Sequence, residues 1–170
     1  MFKRLLLVVT IVFSTFTIAM ATQIPAESET TIYRPEKSEI IGWMNQVSQM
    51  PAAEQNEKAS AALKGISTSD SKTPRSDFQL CIGLAYLGNT TAQRCVGYAY
   101  EKGIGIIDDL LEAYVWFSLA SGDDALNDSD ASRLLLTLNL NYPAPSEEEL
   151  ETTVSEQKKI VAEYQNEVKK

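Results

Sequence analysis

Apolar residues recur every three or four positions along most of the chain, which is the spacing of amphipathic helices. The first such stretch begins near Glu36 and is closed by Pro51, and a second covers residues 52–64 and is stopped by Gly65. Further helices are predicted at about 77–87, 92–102, 109–121, 129–139 and 147–169. No stretch shows the alternation typical of a strand, so the pattern predicts an all-α fold.

Turn residues separate these helical stretches. The separators are Gly88-Asn89, Gly103-Ile104-Gly105, Gly122-Asp123-Asp124 and the segment NYPAP at 141–145. Ser146 and Glu149 have the spacing of a capping box, which predicts a well-defined start for the last helix. The polar segment 66–76 is predicted to be a loop or linker.

The sequence KGIGIIDD contains a Gly-x-Gly that either cradles a phosphate or turns one helix back on the next. A phosphate loop follows a buried strand, whereas the residues before this one have helical periodicity. Asp108 also replaces the third glycine of the nucleotide-binding pattern. Gly103 stands where a helix C-terminus needs a left-handed residue, Asp108 is the predicted N-cap, and Asp109 falls in the next first turn. We therefore predict a helix-to-helix turn.

The N-terminus has the layout of a secretory signal peptide, predicted to span residues 1–21. Lys3 and Arg4 precede an apolar run at 5–16 and the small-residue triplet at 19–21. The run is short for a permanent membrane span, so we expect no membrane insertion after the signal is removed. Residues 22–35 are polar and contain two prolines, which predicts a flexible leader. The expected location is periplasmic or secreted.

Charge and composition narrow the function. Without Lys3 and Arg4, 13 of the 15 basic residues remain against 23 acidic ones, a net charge of −10. Such a chain repels nucleic acid and anionic lipid, so neither is expected as a partner. The absence of histidine excludes Ser-His-Asp and Cys-His nucleophile systems and histidine-based zinc sites. We expect no cofactor and no enzymatic activity.

One region resembles the Sel-1-like repeat, a relative of the tetratricopeptide repeat. The matching positions are Ala92, Val96-Gly97, Tyr100, Gly103-x-Gly105, Asp108, Ala113, Trp116, Ala120 and Gly122. They cover one full repeat, with a half-repeat (FQLCIGLAYLGN) before it. The resemblance implies antiparallel helix pairs stacked into a short α-solenoid, with Trp116 in the core, and a protein-binding scaffold. Trp43 lies about two repeat lengths before Trp116, which leaves open a degenerate first repeat.

A lone helix pair cannot bury its apolar faces, so the repeat needs neighbours. We therefore divide the mature chain into N-terminal helices and a polar linker at 36–76, a repeat region at 77–145 and a long C-terminal capping helix at 146–170.

The two cysteines fall in similar surroundings, because LCIGLAY and RCVGYAY align at an offset of 14. This places Cys81 and Cys95 in facing helices on either side of the Gly88-Asn89 turn. In an oxidising compartment the pair could form a disulfide. The alternative is two buried thiols that face different directions, and the sequence leaves both open.

Arg94, Tyr98 and Glu101 form a stripe at helical spacing, away from the positions that the repeat needs for packing. The first helix of each pair tends to line the concave face in the Sel-1-like family, and arginine and tyrosine are frequent interface anchors. We predict these three as partner contacts, the alternative being an ordinary solvated helix face.

Asp128-Ser129-Asp130 has the alternating polar ligands of a calcium loop, but Arg133 stands where such a loop needs glycine. The interpretation we favour is that these residues cap the next helix.

These features predict an exported scaffold or adaptor of the cell envelope that binds a protein partner. One version of this hypothesis adds that the protein regulates its partner. The alternatives are a secreted effector that binds host proteins and a hydrolase acting on cell-wall or β-lactam substrates.

Overall fold

A computed structural model of the protein describes residues 34–122, 128–140 and 144–169. The helices in these residues are α1 (Lys37–Ser48), α2 (Ala52–Ser67), α3 (Pro74–Tyr86), α4 (Thr90–Lys102), α5 (Leu110–Ser121), α6 (Ser129–Leu140) and α7 (Glu147–Val168). No strand occurs in the described residues, which confirms the all-α prediction. The predicted signal peptide at 1–21 and all but the last residues of the predicted leader lie outside them. No helix in the described part of the chain combines the length and apolarity needed to cross a membrane.

The helices pack on neighbours in sequence and on next-but-one neighbours. Helix α1 packs on α3, α2 packs on both α3 and α4, and α4 packs closely on α5. Helix α5 also packs on α6 and α7, and α7 packs on α1 and α3. The long last helix therefore ties the two ends of the described chain together.

The core is built around aromatic side chains from α3, α4 and α5. Trp116 is 1% exposed, and its ring lies 5.3 Å from that of Tyr86 in an edge-to-face arrangement. Phe78 and Tyr100 form a second edge-to-face pair at 5.8 Å. Such pairs add specific geometry to the burial of large apolar surfaces. Trp116 is therefore a core residue, as predicted.

Several helix boundaries differ from the predicted ones. Helix α3 begins at Pro74, inside the segment predicted as a loop, because proline suits the first position of a helix, where an N–H has no partner. Helix α2 continues through Gly65 to Ser67. The prediction that Asp108 caps α5 is wrong. Asp109 is the cap, and its Oδ1 accepts hydrogen bonds from the backbone N–H groups of Leu111 and Glu112 at 3.0 and 3.1 Å.

The predicted capping box at the start of α7 is confirmed. The backbone N–H of Glu149 donates to Ser146 Oγ at 3.2 Å, and the backbone N–H of Ser146 donates to Glu149 Oε2 at 2.7 Å. Two N–H groups that the helix itself cannot pair are thus satisfied. The start of α7, which forms one end of the groove described below, is therefore fixed locally.

The Gly-x-Gly is a helix-to-helix turn, as predicted. Gly103 ends α4 in the left-handed conformation, with φ of 64° and ψ of 35°. Gly105 has φ of 80°, and a Cβ added there would lie 2.2 Å from the carbonyl oxygen of Pro74. The turn is therefore pressed against the start of α3, so its close contacts are within the fold.

Cys81 and Cys95 are joined by a disulfide in the structure, with their Cα atoms 6.0 Å apart. Both residues are completely buried. Of the two arrangements that the sequence left open, the structure contains the bonded one. The bond fixes α3 to α4 in the middle of the core.

Candidate binding groove

The predicted contact residues Arg94, Tyr98 and Glu101 lie on one side of α4, where they face α6. The Arg94 guanidinium forms ion pairs with Asp128 and Asp130, and the latter is at 2.9 Å. The Tyr98 hydroxyl donates to Asp130 Oδ1 at 2.8 Å. Glu101 is held by two hydrogen bonds from the Arg133 guanidinium. All three side chains are half-buried and hold α6 against α4, so they do not form an ordinary solvated helix face. Their contact with a partner stays a prediction.

The acidic residues before α6 serve this contact and cap the helix. Asp128 Oδ1 accepts hydrogen bonds from the backbone N–H groups of Asp130 and Ala131 at 2.9 and 3.2 Å. Burial acts to raise the pKa of Asp128, but the hydrogen bonds from Arg94, from these amides and from Ser121 lower it to about 2. The interpretation that residues of this segment cap the next helix is confirmed for Asp128, and α6 begins at Ser129. Within the three described stretches, no group of three His, Cys, Asp or Glu side chains is arranged to hold a metal ion.

A groove of about 580 Å³ opens between α6 and α7, above α5. Its lining residues come from all three helices and from the chain on either side of them: Tyr114, Ser118, Gly122, Leu135, Asn139, Pro145, Glu147, Leu150, Glu151, Val154, Ser155 and Lys158. The volume lies within the usual range of ligand pockets. Helix α5 forms the floor because it alone packs closely on both walls.

The α7 wall of the groove is a regular stripe. Its members recur at intervals of three and four residues from Glu147 to Lys158, the spacing of residues that share one helix face. The stripe is about 16 Å long at 1.5 Å per residue. Apolar Leu150 and Val154 lie within it, with Glu147 and Glu151 at its N-terminal end and Lys158 at the other. The α7 wall therefore mixes apolar and polar side chains, with two carboxylates towards its N-terminal end.

One polar group beneath the groove has no hydrogen-bond partner among the described residues. Ser118 is 2% exposed, and its Oγ makes no hydrogen bond to any described residue. A buried hydroxyl without a partner destabilises the folded state by about 1–3 kcal/mol relative to one that is satisfied. The oxygen is shielded from solvent, so it belongs to the packing beneath the groove and not to its open surface.

Ser155 and Lys158 have the Ser-x-x-Lys spacing used by penicillin-binding acyltransferases. Both residues are exposed. A nucleophilic serine needs a base held within hydrogen-bond reach, and a lysine acquires that basic form when it is desolvated. The spacing is present in the groove, but the burial that would activate it is not.

Glu112 has a raised pKa, a property that its position in the sequence did not indicate. It lies in the first turn of α5 and accepts a hydrogen bond from the Trp116 side chain. Burial, followed by the charge of Asp109, raises the pKa of the Glu112 carboxyl. Neither carboxyl group lines the groove, so this pair is separate from the candidate site.

Neither a protein-family model nor a curated protein nor a solved structure matches this chain. The resemblance to Sel-1-like repeats therefore rests on the residues quoted above.

Proposed function

We propose that the protein is an exported interaction module of the cell envelope that holds a segment of a partner protein in the groove between α6 and α7. The observation that carries the proposal is the groove itself, about 580 Å³ in volume, walled by α6 and α7 and floored by α5. Grooves between helices are a common means of peptide recognition.

The architecture we propose is a short α-solenoid of Sel-1-like helix pairs. In support, α4 and α5 pack closely in the region that resembles the repeat, and α1 packs on α3 as α2 packs on α4. Contacts between next-but-one helices are those of a stacked array, in which each unit covers the apolar face of its neighbour. The packing of α7 on α5 continues the same pattern and covers the end of the array.

Export is supported by two independent features. The N-terminal sequence has the charge, apolar run and small residues of a signal peptide. The disulfide between Cys81 and Cys95 is typical of proteins that fold in oxidising compartments. The proposal places the protein in the periplasm or outside the cell.

Affinity capture of envelope proteins by the mature chain tests this function. The parent is compared with Val154→Arg, which fills the groove, and with Thr152→Arg, which adds the same side chain at an exposed position outside the groove. We expect a partner that the parent and Thr152→Arg retain and Val154→Arg loses. A partner retained equally by all three proteins would contradict the assignment to the groove, and no partner for any of them would contradict the interaction function.

A second candidate, acylation by cell-wall or β-lactam substrates, is favoured by the Ser-x-x-Lys spacing of Ser155 and Lys158 in the groove. The mass of the intact protein after incubation with a penicillin separates it from the first. The binding proposal predicts no adduct. An adduct that Ser155→Ala abolishes would replace the binding proposal with an enzymatic one.

A further inference from the structure

Resting on the proposed binding function of the groove, we propose that its occupant is a partner segment that combines apolar side chains with a basic one at the end that meets Glu147 and Glu151. The inference follows from the distribution of apolar surface and charge around the groove.

The apolar surface extends beyond the groove onto α6. Leu135 and Asn139 form the α6 wall. At 100° per residue, Leu136 lies next around the helix, on the side away from the buried residues Leu134 and Leu138. Leu136 is 68% exposed, so its apolar side chain is open to contact with a segment bound beside it. A segment that fills the groove and passes over α6 would cover it.

The charge at the N-terminal end of the groove is acidic. Glu147 and Glu151 are one helical turn apart and exposed on the rim. Neither forms an ion pair with a described residue. Two neighbouring carboxylates attract a cationic side chain and repel an anionic one. A lysine or arginine of the occupant therefore belongs at this end.

The charge of the whole chain agrees with the acidic end of the groove. The chain as a whole has a net charge of −8, which favours a basic partner and repels an anionic membrane surface. The partner class is therefore a protein with a basic, apolar segment of about ten residues, the length that a groove of about 16 Å accommodates as a helix.

Two synthetic peptides of about twelve residues test the inference. They share the same leucine and alanine positions and differ only in carrying lysine or glutamate at the remaining positions. Binding to the 15N-labelled mature chain is followed by backbone chemical shifts, in the parent, in Glu151→Lys and in Glu156→Lys. Glu156 is exposed and outside the groove, so its variant makes the same charge change on the other side of α7.

The expected result is that the lysine peptide binds, shifts resonances of α6 and α7, and loses about fivefold in affinity in Glu151→Lys but less than about twofold in Glu156→Lys. Tighter binding of the glutamate peptide at the groove would overturn the inference and leave the groove a binding site. Equal weakening by both variants would show attraction to net charge alone and would also overturn it. If neither peptide shifts the groove at about 1 mM, the inference fails, while the capture experiment above decides the proposed function separately.

Discussion

A Cβ atom added to Gly97 would lie 2.8 Å from Cε1 of Phe117, which is closer than two such carbons approach in folded proteins. Phe117 is completely buried, so its ring cannot move into solvent. Helix α4 thus lies against the face of an aromatic ring of α5, and the absence of a side chain at Gly97 permits it. The floor of the groove belongs to the same helix as Phe117, so this contact positions the groove relative to the rest of the fold.

The overpacking that alanine causes at Gly97 is therefore expected to cost about 1–3 kcal/mol, the usual range for a core. Alanine favours a helix over glycine by about 1 kcal/mol, so the measured loss is what remains after that gain. Gly42 is the matched control, since it lies in α1 and a Cβ there would meet nothing within 4 Å. Urea unfolding should show a loss for Gly97→Ala and none for Gly42→Ala. Equal stability of the two variants would contradict the close packing of α4 on Phe117.

Arg94→Ala is expected to destabilise the protein by about 2 kcal/mol at pH 7, because it leaves the 9%-exposed carboxylate of Asp128 without its cation. The pKa of Asp128 is about 2 in the folded protein against an ordinary 3.8, so its stabilising contribution is present above pH 4 and is lost as the pH falls towards 2. As the pH falls from 4 towards 2, Arg94→Ala should therefore lose less stability than the parent.

The exposed ion pair between Lys58 and Glu54 provides the control for Arg94. Lys58→Ala should change the free energy of unfolding by no more than about 0.5 kcal/mol, as for other exposed pairs one helical turn apart. Thermal unfolding at a series of pH values measures both variants. A cost of Arg94→Ala no larger than that of Lys58→Ala would show that the contact between α4 and α6 does not depend on these charges.

Glu112→Gln is expected to stabilise the protein at pH 7. Burial raises the pKa of this carboxyl in the folded state, so the folded protein is penalised when the group is ionised, and its stability falls as the pH rises through that pKa. Glutamine keeps an oxygen for the hydrogen bond from Trp116 and carries no charge. The gain over the parent should shrink as the pH is lowered through the ordinary glutamate pKa of 4.5. No gain at any pH, with Glu156→Gln as the exposed control, would contradict the burial of this group.

Replacing Cys81 and Cys95 together with alanine is expected to lower the free energy of unfolding by about 3 kcal/mol, the loss estimated for opening a loop of about fifteen residues. Both residues are buried, so the remaining packing should keep the helices in place. The check is denaturant unfolding of the oxidised parent and the double variant, with thiol counting on the unreduced, denatured parent. Two free thiols in the parent would show that the bond does not form.

The helices and their ends could be predicted from the sequence wherever the signal is local. The capping box of Ser146 and Glu149 is contained in four consecutive residues, and the left-handed end of α4 at Gly103 follows from a single glycine after an apolar periodic stretch. The start of α3 was misplaced because Pro74 lies in a polar segment whose composition resembles a loop. The choice between Asp108 and Asp109 depends on the path of the turn, which neighbouring residues do not determine.

Neither the contact between α4 and α6 nor the groove could be predicted, because both depend on contacts between distant parts of the chain. Arg94 has the spacing of a free helix face, and its partners lie 34 and 36 residues later in sequence. The groove likewise depends on how far α6 and α7 lie apart above α5. The only signal in the sequence was the recurrence of Glu147, Leu150, Glu151 and Val154 at helical spacing, and a solvated helix face can have the same pattern.

Photo-crosslinking in the producing cell tests the central claim most directly. A photoreactive amino acid is placed at Val154, which lines the groove, or at Glu156, which is exposed outside it, and the adducts of the exported protein are compared. The account predicts a specific adduct with an envelope or secreted protein from position 154 and none from position 156. The same adducts from both positions, or none from position 154 although the protein is folded and exported, would contradict it.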